Sequence, residues 1–155
     1  MNRFVVSCLI LCAVAPLCAA ASLFSGIEKG VRGVTWGEQL AARDDMAYNS
    51  DGKYFEKASE DLRLPVQGAD AVTLTRIWYY ADAAGGFSFC IAFAPAASFD
   101  DVRRVVVSSF GEPKRAGGRA PLSVWKSGLI TLGAAFDGST ALTIKRPQQR
   151  VPVTK

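Results

Sequence analysis

The sequence predicts an α+β domain: an antiparallel sheet of about five strands, one main helix packed on a face, and a signal peptide in front. Three observations predict it. Gly86 to Ala94 alternates large and small side chains without a break. Phe99 to Phe110 repeats apolar residues at helical spacing and is closed by Gly111 and Pro113. Three short strand-like runs then follow one another: Leu122 to Lys126, Leu129 to Phe136, and Thr140 to Arg146.

The first 21 residues read as a leader. Arg3 is followed by an apolar run from Phe4 to about Ala15, a break at Pro16, and the small residues Ala19, Ala20, Ala21 and Ser22. Signal peptidase needs small side chains one and three residues before the cut. Ala21 and Ala19 meet that need for a cut after Ala21, as do Ala20 and Cys18 for a cut after Ala20. The alternatives are a retained membrane anchor and lipidation of a leader cysteine. Pro16 weakens the first, and Leu11 before Cys12 and Leu17 before Cys18 oppose the second. The expected organisation is a signal peptide at 1–21, one domain at 22–146 and a flexible tail at 147–155, placing the protein in the periplasm or outside the cell.

Along the mature chain, Leu23 to Arg32 shows no pattern. Gly33 to Gly37 reads as a short strand and turn, and Glu38 to Arg43 as a brief helical piece. Asp44 to Gly52 reads as loop, and Lys53 to Leu64 as an irregular strand. Ala71 to Ala81, rich in β-branched and aromatic residues, pairs with Gly86 to Ala94 across the loop Asp82 to Gly85. Phe87, Phe89, Ile91 and Phe93 share one face and are expected to meet a core. Ser88, Cys90, Ala92 and Ala94 share the other, to lie close under another element or near solvent. Ser98 and Asp101 resemble a capping box for the helix, and Asp100 and Arg104 are placed to pair. Lys114 to Ala120 reads as a basic loop, and Asp137-Gly138 as a hairpin turn.

Composition excludes more than it identifies. The 155 residues contain no histidine, which removes the commonest general base, the serine and cysteine triads and the usual zinc ligand. After the leader, Cys90 is the sole cysteine, so neither an internal disulfide nor a thiolate metal site is available, and no cofactor is expected. Loss of Arg3 leaves 17 basic against 14 acidic residues, a charge too mild and dispersed for nucleic acid. The membrane enters only through the leader.

The short motifs have plain explanations. Ser123-x-x-Lys126 matches a serine–lysine hydrolase pattern, but in a strand the two residues face opposite ways. Aligning Gly52 with the glycine of a calcium loop leaves alanines at positions 47 and 58, where acids are required. Glu56, Glu60 and Asp61 are the carboxylates from which a metal-free hydrolase would be built. Lys114, Arg115 and Arg119 around Gly117-Gly118 are candidates for holding an anion. Trp78, Tyr79 and Tyr80 cannot all face one core on a strand, so at least one ring points toward a helix, solvent or a partner.

Trp36-Gly37, the aromatic hairpin, Phe110-Gly-Glu-Pro113 and Trp125-Lys126 before a closing hairpin resemble the pattern of small exported bacterial proteins of uncharacterised function. The chain is also similar to the small α+β domains of outer-membrane assembly lipoproteins and β-lactamase inhibitors, whose helix-loop-helix start it lacks. These resemblances imply a fold and an exported location, and no catalytic residue. The expected function is a non-enzymatic domain that binds or assists a protein or envelope component through Trp78, Tyr79 and Tyr80 or through Lys114, Arg115 and Arg119. A carboxylate-dependent hydrolase and an anchored envelope protein are the alternatives.

Overall fold

A computed structural model describes residues 23–65, 70–116, 122–126 and 129–147. The expected leader, the expected tail beyond Pro147 and the expected turn at Ser127-Gly128 lie outside them. The chain opens with a small hairpin, β1 (Gly30–Val31) and β2 (Val34–Thr35), and a 3-10 turn at Leu40–Ala42. Next come β3 (Met46–Asn49), β4 (Tyr54–Lys57), β5 (Arg63–Leu64), β6 (Val72–Thr73), β7 (Arg76–Ala81) and β8 (Phe87–Ala94). Helix α1 (Phe99–Phe110) follows, then β9 (Arg115–Ala116), β10 (Ser123–Trp125), β11 (Ile130–Ala134) and β12 (Thr140–Lys145).

The main sheet is antiparallel, open and eight-stranded, in the order β3-β4-β7-β8-β12-β11-β10-β9. The expected single sheet with one helix is therefore present, but it is wider than five strands. One addition is β3, which the sequence presents as loop. Met46 to Asn49 has little strand propensity of its own and is extended because β4 pairs with it from Met46–Lys57 to Asn49–Tyr54. Asn49 does make the expected turn, its side-chain oxygen accepting the Gly52 amide at 2.9 Å. A second addition is β9, at the start of the expected basic loop, which pairs with β10.

Helix α1 buries Val102, Val105 and Val106, the centre of the expected stripe. Gly111 ends it with φ 76°. Its start differs from expectation. Ser98 makes no side-chain cap, because a 3-10 turn at Ala96–Ser98 runs straight into the helix. Arg104 pairs with Asp101 at 3.1 Å rather than with Asp100.

The larger correction concerns which side of β8 faces inward. Cys90, Ala92 and Ala94 are at most 1% exposed, whereas Phe89 and Ile91 are half-buried on the opposite face. The small residues line the core because bulk comes from their neighbours. Tyr79 and Ile144 pair with Cys90, and Leu142 with Ala92. These join Trp125, Leu132 and the α1 valines in one cluster. Phe87 changes sides through a β-bulge: Tyr80 pairs with Phe89 but Ala81 with Phe87, leaving Ser88 as the extra residue. Phe87 thereby sits 5.6 Å from Tyr79 in the core, ring centroid to ring centroid.

The N-terminal segment is also core. Leu23, Phe24, Ile27, Val31, Val34 and Leu40 are buried in the same cluster. Trp36 stacks on Phe87 at 4.4 Å. Gly37 follows with φ 82°, and its carbonyl lies where a Cβ on Gly86 would come within 2.9 Å. The Trp-Gly dipeptide thus seals one end of the sheet where two backbones touch.

Candidate functional site

The face of the sheet away from α1 carries a row of aromatic rings. Residues of β4, β7 and β8 point there alternately: Tyr54 and Glu56, then Arg76, Trp78 and Tyr80, then Phe89, Ile91 and Phe93. All of them but Phe93 are half-buried. Tyr80 and Phe89, directly paired across β7 and β8, stack with centroids 4.3 Å apart and planes at 6°. Tyr54 stacks on Trp78 at 4.2 Å and 14°. Rings on neighbouring strands whose planes face each other stand upright from the sheet. In each stacked pair one face of each ring is taken by its partner.

Charged groups hold the row at Trp78 and Phe93. Glu56 accepts the Trp78 indole N–H at 2.8 Å. The Arg76 guanidinium lies over Trp78 and Phe93, 4.8 and 4.6 Å from the ring centroids, and leaves Phe93 only 4% exposed. Arg76 is in turn held by Asp137 at 2.7 Å, and Asp137 also accepts from the Ser139 hydroxyl. Ser139 and Arg76 together hold the Asp137 carboxyl down to about 2. Asp137 belongs to the turn between β11 and β12. The Gly138 amide bonds to the Ala135 carbonyl and the Ala135 amide to the Ser139 carbonyl, with φ 81° at Gly138. That is a three-residue loop with a bulge, one residue longer than the expected Asp-Gly turn. At its tip Phe136 is fully exposed, beside the Asp137 that grips the aromatic row.

Of the expected interface residues, Trp78 and Tyr80 are on this face. Tyr79 is not: it is 0% exposed in the core, and its hydroxyl donates to Glu60 at 2.5 Å. Burial and the neighbouring Glu60 charge push the Tyr79 phenol far above its ordinary range. Lys114 is exposed at the other end of the sheet, Arg115 starts β9, and Arg119 lies outside the described residues. The sequence did not single out Phe136 or Phe89 as surface groups. An Asp-Gly turn preceded by phenylalanine was the available signal for the first; the second depended on which side of β8 faces the core.

The carboxylates do not converge. Glu56 and Glu60 both line an open cleft of about 310 Å³ with Lys57, Thr75, Arg76 and Ile77. Yet Glu56 is drawn to Trp78 on the open face and Glu60 to Tyr79 on the core face. Burial raises the Glu60 carboxyl above its usual value, against the pull of Tyr79, Arg32 and Lys57. Asp61 is held down at about 2, chiefly by Arg63. Ser123 is buried while Lys126 lies over the Phe110 ring at 5.1 Å, so the serine–lysine pattern forms no pair. Cys90 is fully buried and its thiol is pushed up by burial, which leaves little thiolate for chemistry. Among the described residues there is no cluster of three or more metal-binding side chains, and no helix is long and apolar enough to cross a membrane.

Fold and surface together define a class: an open antiparallel sheet with one side sealed by a helix and an N-terminal segment, and the other side aromatic. No family model, curated protein or solved structure matches the chain.

Proposed function

We propose that this is an exported, non-enzymatic binding domain, working in the periplasm or outside the cell, whose aromatic sheet face docks a protein partner. One observation carries the reading: Tyr54, Trp78, Tyr80 and Phe89 form an ordered, half-buried row on the face of the sheet opposite the core. Ordered aromatics held by Arg76 and Glu56 lose little side-chain freedom on binding, as favourable contact residues do. The choice of a protein follows from ring orientation. A sugar or a nucleobase stacks on a free ring face, and here one face of each of Tyr54, Trp78, Tyr80 and Phe89 is already taken by its neighbour, with Arg76 also lying over Trp78. Upright edges, tyrosine hydroxyls and a protruding Phe136 suit an apolar protein surface with a pocket for one ring.

Site-specific photocrosslinking tests this. A photoreactive residue at Phe136 or Tyr80 should capture the same envelope protein, and one at Lys114 should not. Tyr80→Ala and Phe136→Ala should each abolish recovery of that protein by a wild-type-like bait. Equal recovery by wild type and both variants removes the case for this face.

A hydrolase built on carboxylates is the second reading, favoured by the raised Glu60 carboxyl, the property of a general acid. It requires a second carboxylate across the cleft, and Glu56 is held by Trp78 instead.

A further inference from the structure

We infer that β3 pairs edge to edge with β3 of a second copy of this chain, joining two main sheets into one. The pairing does not depend on what the aromatic face binds. Among the described residues β3 is the outermost strand of the main sheet. Its outer side is therefore a row of backbone groups, which natural sheets shield with charge, proline or a bulge. Met46 to Asn49 has none of these: it is uncharged, contains no proline, and pairs with β4 without a register shift. The opposite edge, β9, carries Arg115. β3 instead presents Tyr48, 57% exposed.

The register fixes which groups the edge offers. The Ala58 amide donates to the Asp45 carbonyl at 2.8 Å, so Ala47 and Asn49 are the residues of β3 that bond to β4. Tyr48, between them, turns its N–H and C=O outward, as Met46 does its C=O. The Met46 amide is returned to the Arg43 carbonyl at 3.3 Å. An antiparallel copy centred on Ala47 matches these groups: the Tyr48 amide of each copy donates to the Met46 carbonyl of the other. The side chains agree with that register. Tyr48 and Met46 lie on the core side of the strand, with the Tyr48 ring 4.9 Å from that of Phe55. Each Tyr48 ring then meets the Met46 thioether of the other copy, a favourable contact. Ala47 faces Ala47 on the aromatic side, where pairs that share no hydrogen bond bring Cα atoms to about 4.5 Å and a small side chain fits. Asp44 and Asp45 meet Ser50 and Asn49 rather than acids. A copy centred on Tyr48 would set Asp45 against Asp51 at both ends, which like-charge repulsion disfavours. A two-fold axis through Ala47, perpendicular to the sheet, keeps both aromatic rows on one side. A four-residue seam is far smaller than the roughly 1,200 Å² that stable interfaces bury, so the dimer is a weak one.

The whole chain is expressed, and the purified protein is sedimented to equilibrium at concentrations up to about 1 mM, the range of a weak dimer. Wild type should shift from monomer toward dimer. Ala47→Lys, at an exposed position, sets two ammonium groups against each other across the seam and should weaken association about fivefold. Mixing it with Ala47→Glu should restore the dimer. Under mild oxidation Ala47→Cys should form a disulfide with itself, read by peptide mass, because the paired Cα atoms lie within bridging range. Asn49→Cys, which faces Asp45, should not. A wild type that stays monomeric across the range overturns the inference. So does an Ala47→Lys variant that associates like wild type, a mixture no more dimeric than Ala47→Lys alone, or an Asn49→Cys variant that crosslinks as readily as Ala47→Cys.

Discussion

The two faces of one sheet use aromatic residues in opposite ways. On the core face, Tyr79, Phe87 and Trp125 are buried among aliphatic side chains, and their polar atoms are satisfied within the protein. Tyr79 donates to Glu60, and Trp125 donates to the Gly111 carbonyl at 2.8 Å where α1 ends. On the open face, Tyr54, Trp78, Tyr80 and Phe89 pack against each other and are half-buried rather than sealed. The first arrangement is tied to the fold, because each ring touches elements distant in sequence. The second is local to three strands, and little of the rest of the molecule depends on it. Rings that the fold does not consume are available for contact with something else.

That contrast sets the size of each expected effect. Trp125→Ala should be the most damaging change, costing about 3–5 kcal/mol in denaturant unfolding, since it opens a cavity and strips the Gly111 carbonyl of its donor. Ala92→Leu comes next: an enlarged side chain on the crowded core face should cost about 1–3 kcal/mol by overpacking. The same enlargement at Ala141, on the other face, should cost much less, and equal losses at the two alanines would erase the distinction between the faces. Tyr80→Ala and Phe89→Ala should be milder still. In a double-mutant cycle the pair should show a coupling of about 0.5–1.5 kcal/mol, the value for stacked rings beyond their burial. A coupling near zero would mean that the row is not pre-ordered.

Two pH effects sharpen the comparison further. The Glu60 carboxyl is raised in the folded protein. Its contribution to stability is therefore complete below the ordinary carboxylate value and is lost as pH rises through the folded value. Glu60→Gln should accordingly gain stability relative to wild type as pH rises from about 4 toward neutrality, read as the urea midpoint at each pH. Asp137 is lowered to about 2, so its contribution is present above the ordinary carboxylate value and is lost as pH falls toward 2. Asp137→Asn should flatten the part of that acid limb that Asp137 supplies, Asp61 supplying another part, and leave the Glu60 limb alone. The Asp137 effect belongs to the open face and the Glu60 effect to the core face.

Some of this was legible in the residues. The α1 stripe and its glycine stop were plain, because helix spacing and a left-handed terminus are local properties. The Asp82–Gly85 loop was equally plain: the Asp82 side chain accepts the Ala84 and Gly86 amides at 2.9 and 3.0 Å. The candidate site was half legible. Three consecutive aromatics on a strand had to split between faces, but alternation does not say which ring takes which side. Phe136 passed unmarked because a hairpin tip is read for its turn residues. Leu23, Phe24 and Ile27 passed as unpatterned chain, since side chains that enter a core from a turn follow no period.

The sequence by itself determined the local structures of this protein and the chemistry it lacks. Helix, hairpins and the absence of histidine all depend on residues within a few positions or on composition. Tertiary structure alone decided direction: that the small side of β8 is the inner one, that β3 is a strand, and that Leu23, Phe24 and Ile27 enter the core. Each depends on volume and hydrogen-bonding groups supplied by distant segments. Cys90 and Ala92 face inward because Tyr79, Leu142 and Ile144 already fill the space, and Met46 to Asn49 is extended because β4 offers it partners.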